Sequence, residues 1–312
     1  MKRLGFIQII LNNRLPLWLK FGVLLGIGSG IYSVQADDFP TNFTNRDGIS
    51  NTRHNLSLSS NVNQNAMITV RNQYGEVCVY CHTPHGANEN IDAPLWNRTF
   101  KNNTYQTYDQ VGSSTLTAAV NQPGVGSLTC LSCHDGTVAI DSIVNMPGSG
   151  RYSEGSKTSH QESFLDSWVN TATTTKAPKH AAMGTSSPDT SAMGCMSCHN
   201  GDLANDFTVF YIGTDLRNDH PIGVDLPTNR IGIDFANPTV TQTTMAFYDQ
   251  NGNNKADSNE VRFLKTGSSY RVECASCHDP HGVAPSHGAQ INPSFLRVNN
   301  QNSTLCLTCH TL

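Results

Sequence analysis

The chain has 312 residues, of which 37% are hydrophobic and 14% charged, with 20 Lys+Arg against 24 Asp+Glu. A net charge of −4 excludes the broad basic surface that nucleic-acid binding requires. A chain this long normally forms one or two domains around an aliphatic core, and this composition, crowded with Asn, Ser, Thr and Gly, is short of material for one.

Residues 1–36 contain no acidic residue and carry Lys2, Arg3, Arg14 and Lys20, then the apolar run Phe21–Tyr32 and the small-residue site Val34-Gln35-Ala36. This order predicts a secretory signal peptide over residues 1–36. The apolar run falls short of the roughly 20 residues a membrane-spanning helix needs, and an uncleaved N-terminal anchor is the alternative. Removing 36 of the 312 residues leaves 276 with 16 basic against 24 acidic, a formal −8. The expected location is therefore secreted, in the periplasm or outside the cell, with no transmembrane segment after cleavage and no nucleic-acid partner.

All ten cysteines fall in five Cys-x-x-Cys-His motifs: Cys78–His82, Cys130–His134, Cys195–His199, Cys274–His278 and Cys306–His310. The motif predicts covalent attachment of c-type haem. On one helical turn the residues at i, i+3 and i+4 share a face. Two thiols, such as Cys78 and Cys81, can then bond the haem vinyl groups while the following histidine rises beneath the iron. The same roles fall to Cys130, Cys133 and His134, to Cys195, Cys198 and His199, to Cys274, Cys277 and His278, and to Cys306, Cys309 and His310. Disulfides and zinc are the rival uses of ten secreted cysteines, and neither demands a histidine after every second one. Ser127 and Ser303, three residues ahead of a motif, are expected to cap their helical turns.

Five irons need five sixth ligands, and seven histidines remain. In chain order, His54 precedes the first motif, and His85 lies in Cys81-His82-Thr83-Pro84-His85-Gly86. His180 lies before the third motif, His220 stands in Asp219-His220-Pro221, and His281 lies in Cys277-His278-Asp279-Pro280-His281-Gly282. These five are the distal candidates. Proline and glycine turn the chain out of the attachment helix, so His85 and His281 are expected to reach a neighbouring haem. His160 and His287 have weaker contexts. Met183, Met193 and Met196 offer a thioether alternative near the third motif, which raises potential.

Residues 249–260 read as a twelve-residue calcium loop, with ligands at Asp249, Asn251, Asn253, Lys255 (through its carbonyl), Asp257 and Glu260. The glycine expected at position six is Asn254, which tolerates the left-handed conformation better than most residues.

The expected organisation is one unit over 37–312: two haems in 37–142, an insertion with the third in 143–200, a middle stretch 201–265 holding the calcium loop, and the last two haems in 266–312. Five covalently held macrocycles supply the missing core. The expected fold is therefore irregular coil wrapped around a haem chain, with short helices at the motifs. Phe207–Ile212 and Val261–Leu264 are the runs expected to form short strands.

The doubled elements Cys81–Gly86 and Cys277–Gly282 resemble multihaem c-type cytochromes with doubled Cys-x-x-Cys-His motifs. The wider set is similar to secreted cytochromes of metal-reducing bacteria. It comprises His54-Asn-Leu-Ser, Ala93-Pro-Leu-Trp96-Asn-Arg98, Cys130–Ala139, Gly213–Leu216 with Asp219–Ile222, and Phe295-Leu-Arg297 before Cys306–His310. The four-haem form of that pattern lacks the motif at Cys195–His199. Its sequence echoes Cys130–Gly136, as a local duplication would. The resemblance implies electron transfer through bis-histidine haems, with redox proteins or an extracellular acceptor as partners, rather than an enzyme. Related proteins polymerise through a histidine donated to the next subunit, and His85 is the first candidate for that role here. The alternatives are a reductase of nitrite, hydroxylamine or a sulfur oxyanion with one open iron, and a structural surface cytochrome.

Overall fold

The computed structural model describes residues 43–57, 71, 74, 76–98, 101, 103–145, 180–185, 194–203 and 206–311. The signal-peptide segment, His160, Met193 and most of the 143–200 insertion lie outside the described residues. Among the described residues regular structure is sparse. Three helices, α1 (Val125–His134), α2 (Cys274–Cys277) and α3 (Thr304–Cys309), each end in or just before a motif histidine. The other two motifs begin as single 3-10 turns, Cys78–Tyr80 and Cys195–Ser197.

Five short strands form one antiparallel sheet: β1 (Val224–Asp225), β2 (Val240–Thr241), β3 (Met245–Phe247), β4 (Arg262–Thr266) and β5 (Ser269–Val272), in the order β1-β5-β4-β3-β2. The β4–β5 turn is the two-residue loop Gly267-Ser268, closed by the pair Thr266↔Ser269. Gly267 sits at φ +62°, a conformation the first central position of this tight turn requires and glycine adopts without strain. The sheet buries Ala246, Tyr248, Val261 and Phe263 against Leu305 and Cys309 of α3, so it is the platform on which the fifth motif rests. Two smaller apolar clusters, Tyr74-Val79-Tyr80-Ile143 and Tyr105-Leu131-Leu216, serve the first and second motifs.

Close backbone approach joins α1 to α2. A Cβ on Gly126 would stand 2.1 Å from Leu264 Cδ1 and 3.2 Å from Glu273 Cβ. The buried Glu273 carboxylate accepts both from the Gly124 amide, at 3.0 and 3.1 Å, and from the Ser127 hydroxyl at 2.5 Å. With Ser276 it also forms a reciprocal cap on α2.

Three local expectations are corrected. Ser127 does not cap a helix: α1 begins earlier, after Gly124, and the Ser127 hydroxyl instead accepts from the Cys274 amide across the α1–α2 contact. Ser303 holds the position before α3 but makes no side-chain cap bond. Phe207–Ile212 is not a strand. It contains the 3-10 turn Thr208–Phe210, because Phe207 stacks on His199 while the Ile212 and Gly213 amides bond the His134 carbonyl. The run Val261–Leu264 leads into β4.

Candidate metal centres

Each motif closes as one turn. Amides of His82, His199, His278 and His310 bond the carbonyls of Cys78, Cys195, Cys274 and Cys306 at 2.8–3.0 Å, and His134 closes the helix α1. The two cysteines and the histidine of each motif therefore share one face. None of the ten cysteines is paired in a disulfide.

What fixes the histidines lies outside the motifs. His82 Nδ1 is 2.9 Å from Pro94 O, His134 Nδ1 is 2.6 Å from Phe210 O, and His278 Nδ1 is 2.7 Å from Ser294 O. A carbonyl cannot donate, so each Nδ1 carries the proton and each Nε2 presents a lone pair. This is the arrangement that orients a metal-binding imidazole. Three distal candidates are held in the same way or by a carboxylate: His54 by Pro280 O at 3.1 Å, His220 by Pro221 O at 3.1 Å, and His281 by Asp279 Oδ1 at 2.9 Å. His180, 1% exposed, is held by Asp141 Oδ2 at 2.9 Å.

Two histidine pairs remote in sequence come close together. His82 and His281 have ring centroids 6.2 Å apart with planes 11° from parallel. His54 and His134 stand 6.3 Å apart at 88°. A metal–imidazole bond is about 2 Å, so nitrogens on opposite sides of one ion stand about 4 Å apart, and the ring centres behind them about 6 Å apart. Both pairs have the separation that a six-coordinate iron between two imidazoles requires. His220 adjoins His310, whose charge helps burial to lower the His220 pKa.

Burial and the His134 charge bring the His54 pKa down to about 4, and burial lowers His134 and His278 as well. These rings stay neutral, as ligands must. His281 moves the other way, raised by Asp279.

The companion segments of the first and fourth motifs are alike. Pro94–Asn97 runs antiparallel to Cys81–Thr83, and Ser294–Arg297 to Cys277–Asp279, through the bridges His82↔Trp96 and His278↔Leu296. In each, one carbonyl (Pro94, Ser294) accepts from the ring. The next residue (Leu95 at φ +51°, Phe295 at φ +59°) is left-handed, and its own carbonyl accepts the amide after the histidine, from Thr83 or Asp279. Bulky side chains at positive φ are costly, and here they aim successive carbonyls at one histidine. The second and third motifs form another pair. Each is followed by an Asx turn, Asp135 to Thr137 and Asn200 to Asp202, and by a left-handed glycine, Gly136 and Gly201.

Thiol neighbours show which motifs adjoin. Burial pushes Cys81 up to about 12, aided by Cys133, and burial raises Cys195 with Cys133 contributing. The Cys130 and Cys274 thiols are close enough to perturb each other. Burial pushes Cys277 up to about 12, with Cys309 next. The motifs therefore adjoin in the order first, second, fourth, fifth, with the third beside the second. His180–Thr185 runs along the third motif through Cys195 N to Ala182 O at 2.9 Å, which brings His180, Met183 and the buried Met196 to that motif. The His85 ring is exposed, and its carbonyl is held by Thr83 and Asn145. No ring stacks on it among the described residues. His287 is exposed.

The loop 249–260 joins β3 to β4. Asp249 accepts from the amides of Asn251, Gly252 and Asn254, Asn251 from Asn253, Asn253 from Lys255, and Glu260 from Gln250 and Asp257. Asn254 takes φ +58°. Among the described residues, no group of three or more His, Cys, Asp or Glu gathers as a metal site. The loop's order comes from its own amide-to-oxygen bonds.

Residues without an individual role in the sequence reading are the carbonyl acceptors Pro94, Phe210, Pro280 and Ser294, the carboxylates Asp141 and Asp279, and Trp96. The Trp96 ring meets His82 edge-on at 5.8 Å, and its buried Nε1 has no partner. An unpartnered buried indole N–H beside a motif histidine fits a bound group with acceptor oxygens. Compared with known proteins, the chain matches no family model and no curated sequence. No helix among the described residues is long and apolar enough to cross a membrane.

Proposed function

We propose that this chain is a secreted pentahaem c-type cytochrome that carries electrons. The observation that carries the reading is the pairing of His82 with His281 and of His54 with His134 at 6.2 and 6.3 Å. Each pair joins a motif histidine to one from a distant segment, at the spacing of two axial ligands. Haem supplies a one-electron iron couple whose potential follows its ligands and surroundings. The ten motif cysteines would hold five haems, and His82, His134, His199, His278 and His310 would be the proximal ligands. Distal places go to His281 at the first motif, His54 at the second and His220 at the fifth, with His180 offered to the third and His85, the remaining candidate, to the fourth.

What the chain's own residues do follows from this. Nδ1–H bonds hold His54, His82, His134, His180, His220, His278 and His281 each in one tautomer and one orientation, so these ligands would not rearrange when charge arrives. Burial keeps His54, His134 and His278 neutral. Two protein ligands on an iron leave no place for a substrate, which separates a carrier from a reductase. Redox proteins or an extracellular acceptor are the proposed partners, in the periplasm or outside the cell, and a calcium ion on the 249–260 loop belongs to the same proposal.

The test is mass spectrometry and electron paramagnetic resonance on holoprotein from a host that attaches haem c. Five covalent haems, all low-spin and indifferent to cyanide or nitrite, are expected. A high-spin fraction that binds either anion would replace the carrier reading with a reductase, and a haem-free chain with disulfides would end both.

A further inference from the structure

The imidazoles proposed as ligands are not all held by the same kind of acceptor. His54, His82, His134, His220 and His278 meet neutral backbone carbonyls. His281 meets a carboxylate: Asp279 Oδ1 takes its Nδ1–H at 2.9 Å and its backbone amide at 3.1 Å. That carboxylate is not free to turn away. Its Oδ2 accepts from Arg297 Nη1 at 3.0 Å, and the Arg297 guanidinium is itself fixed by Ala275 O at 3.0 Å and Ser258 O at 2.8 Å. Asp279 is 13% exposed and Arg297 7% at the side chain, so the charge acts in a partly dehydrated setting where it is poorly screened. The matching residue in the first motif's turn is Thr83, uncharged, whose hydroxyl bonds the His85 carbonyl. The two doubled motifs share a backbone and differ at this one chemical point.

A carboxylate on Nδ1–H draws the proton away from the ring and makes Nε2 a stronger donor. A stronger axial donor favours ferric over ferrous iron and lowers the potential. We infer that Asp279, a residue of the fourth motif's turn, sets the reduction potential of the haem held at Cys78–His82 and makes it more reducing than a carbonyl-held centre. This rests on the reading that His82 and His281 share one iron. His180 with Asp141 repeats the device beside the third motif.

The experiment is spectropotentiometry with electron paramagnetic resonance on holoprotein of wild type, Asp279→Asn, the double variant Asp279→Asn/Arg297→Gln, and His281→Ala. An Asn oxygen still accepts the ring proton, so the ligand stays while the charge goes. In Asp279→Asn all five haems are expected to stay low-spin. One potential is expected to rise by about the 59 mV that a tenfold loss of ferric preference represents. The affected haem should be the one that turns high-spin in His281→Ala. The double variant removes the Arg297 charge as well, so a rise that persists there belongs to the hydrogen bond, and it also serves if the single variant does not fold. Unchanged potentials, a rise that disappears in the double variant, or a high-spin haem in Asp279→Asn would each overturn the inference, the last by showing that Asp279 only holds the ring in place. A His281→Ala protein with the wild-type spectrum would overturn the His82–His281 pairing itself, and the inference with it.

Discussion

At the scale of single residues, the angle between paired rings carries spectroscopic information. Parallel imidazoles donate π density in one plane and split the iron's two π orbitals. Perpendicular ones donate to both equally and leave them nearly degenerate. The 11° pair His82–His281 and the 88° pair His54–His134 should therefore give two classes of low-spin resonance: a rhombic signal from the first motif's haem, and a strongly anisotropic one with a large principal g value from the second. Replacing His54 by Ala should remove the anisotropic signal alone and create one high-spin haem; loss of the rhombic signal instead would show the pairing to be wrong. The motif histidines were legible because their chemistry fixes a spacing of five residues. The groups that orient them were not, because a backbone carbonyl can belong to any residue. Only the turn geometry of Pro94 and Ser294, each followed by a left-handed residue, singles theirs out.

At the scale of elements, the contact between α1 and α2 sets a competition that magnitudes decide. Alanine in place of Gly126 would gain about 1 kcal/mol of helix propensity. The added Cβ would stand 2.1 Å from Leu264 Cδ1, and such overpacking costs about 1–3 kcal/mol. Gly126→Ala is thus expected to lower the thermal midpoint, and a rise would mean that Leu264 moves aside freely. In the β3–β4 connection, Glu260 is fully buried and serves two amides, those of Gln250 and Asp257. Glu260→Ala would leave both unpaired, at about 1–3 kcal/mol each, and denaturant unfolding should register the loss. Calcium is expected to raise the wild-type midpoint and a chelator to lower it; identical midpoints would leave the loop's own bonds as its only support. The loop's ligand spacing was visible in the sequence. The strand that follows it was visible as well, in the run Val261–Leu264, and the one before it was not, since the three residues of β3 are too few to show alternation. Phe207–Ile212 misled for a related reason: its apolar residues serve a histidine face rather than a sheet.

At the scale of the whole molecule, the described apolar core is three small clusters, each attached to one or two motifs. None resembles the continuous core that stabilises a chain of this length. Folding should then depend on the cofactor. Produced in a host that cannot attach haem, the polypeptide should unfold without a cooperative transition, as circular dichroism would record. A sharp transition in the haem-free chain would show that the sheet and clusters suffice. Composition made this shortage legible from the start. The spatial order of the motifs was not, because it depends on contacts such as Cys130 with Cys274, which lie far apart in sequence.

The four residues from His278 to His281 bear on three centres at once. His278 belongs to the fourth motif, the Pro280 carbonyl steadies His54 against the second, and Asp279 and His281 serve the first. On the proposed reading, a change in the path of this turn would reach the ligands of three haems, whereas a side-chain change such as Asp279→Asn bears on one. In evolutionary terms it is a point of pleiotropy, where a change of path that suits one centre is tested against two others.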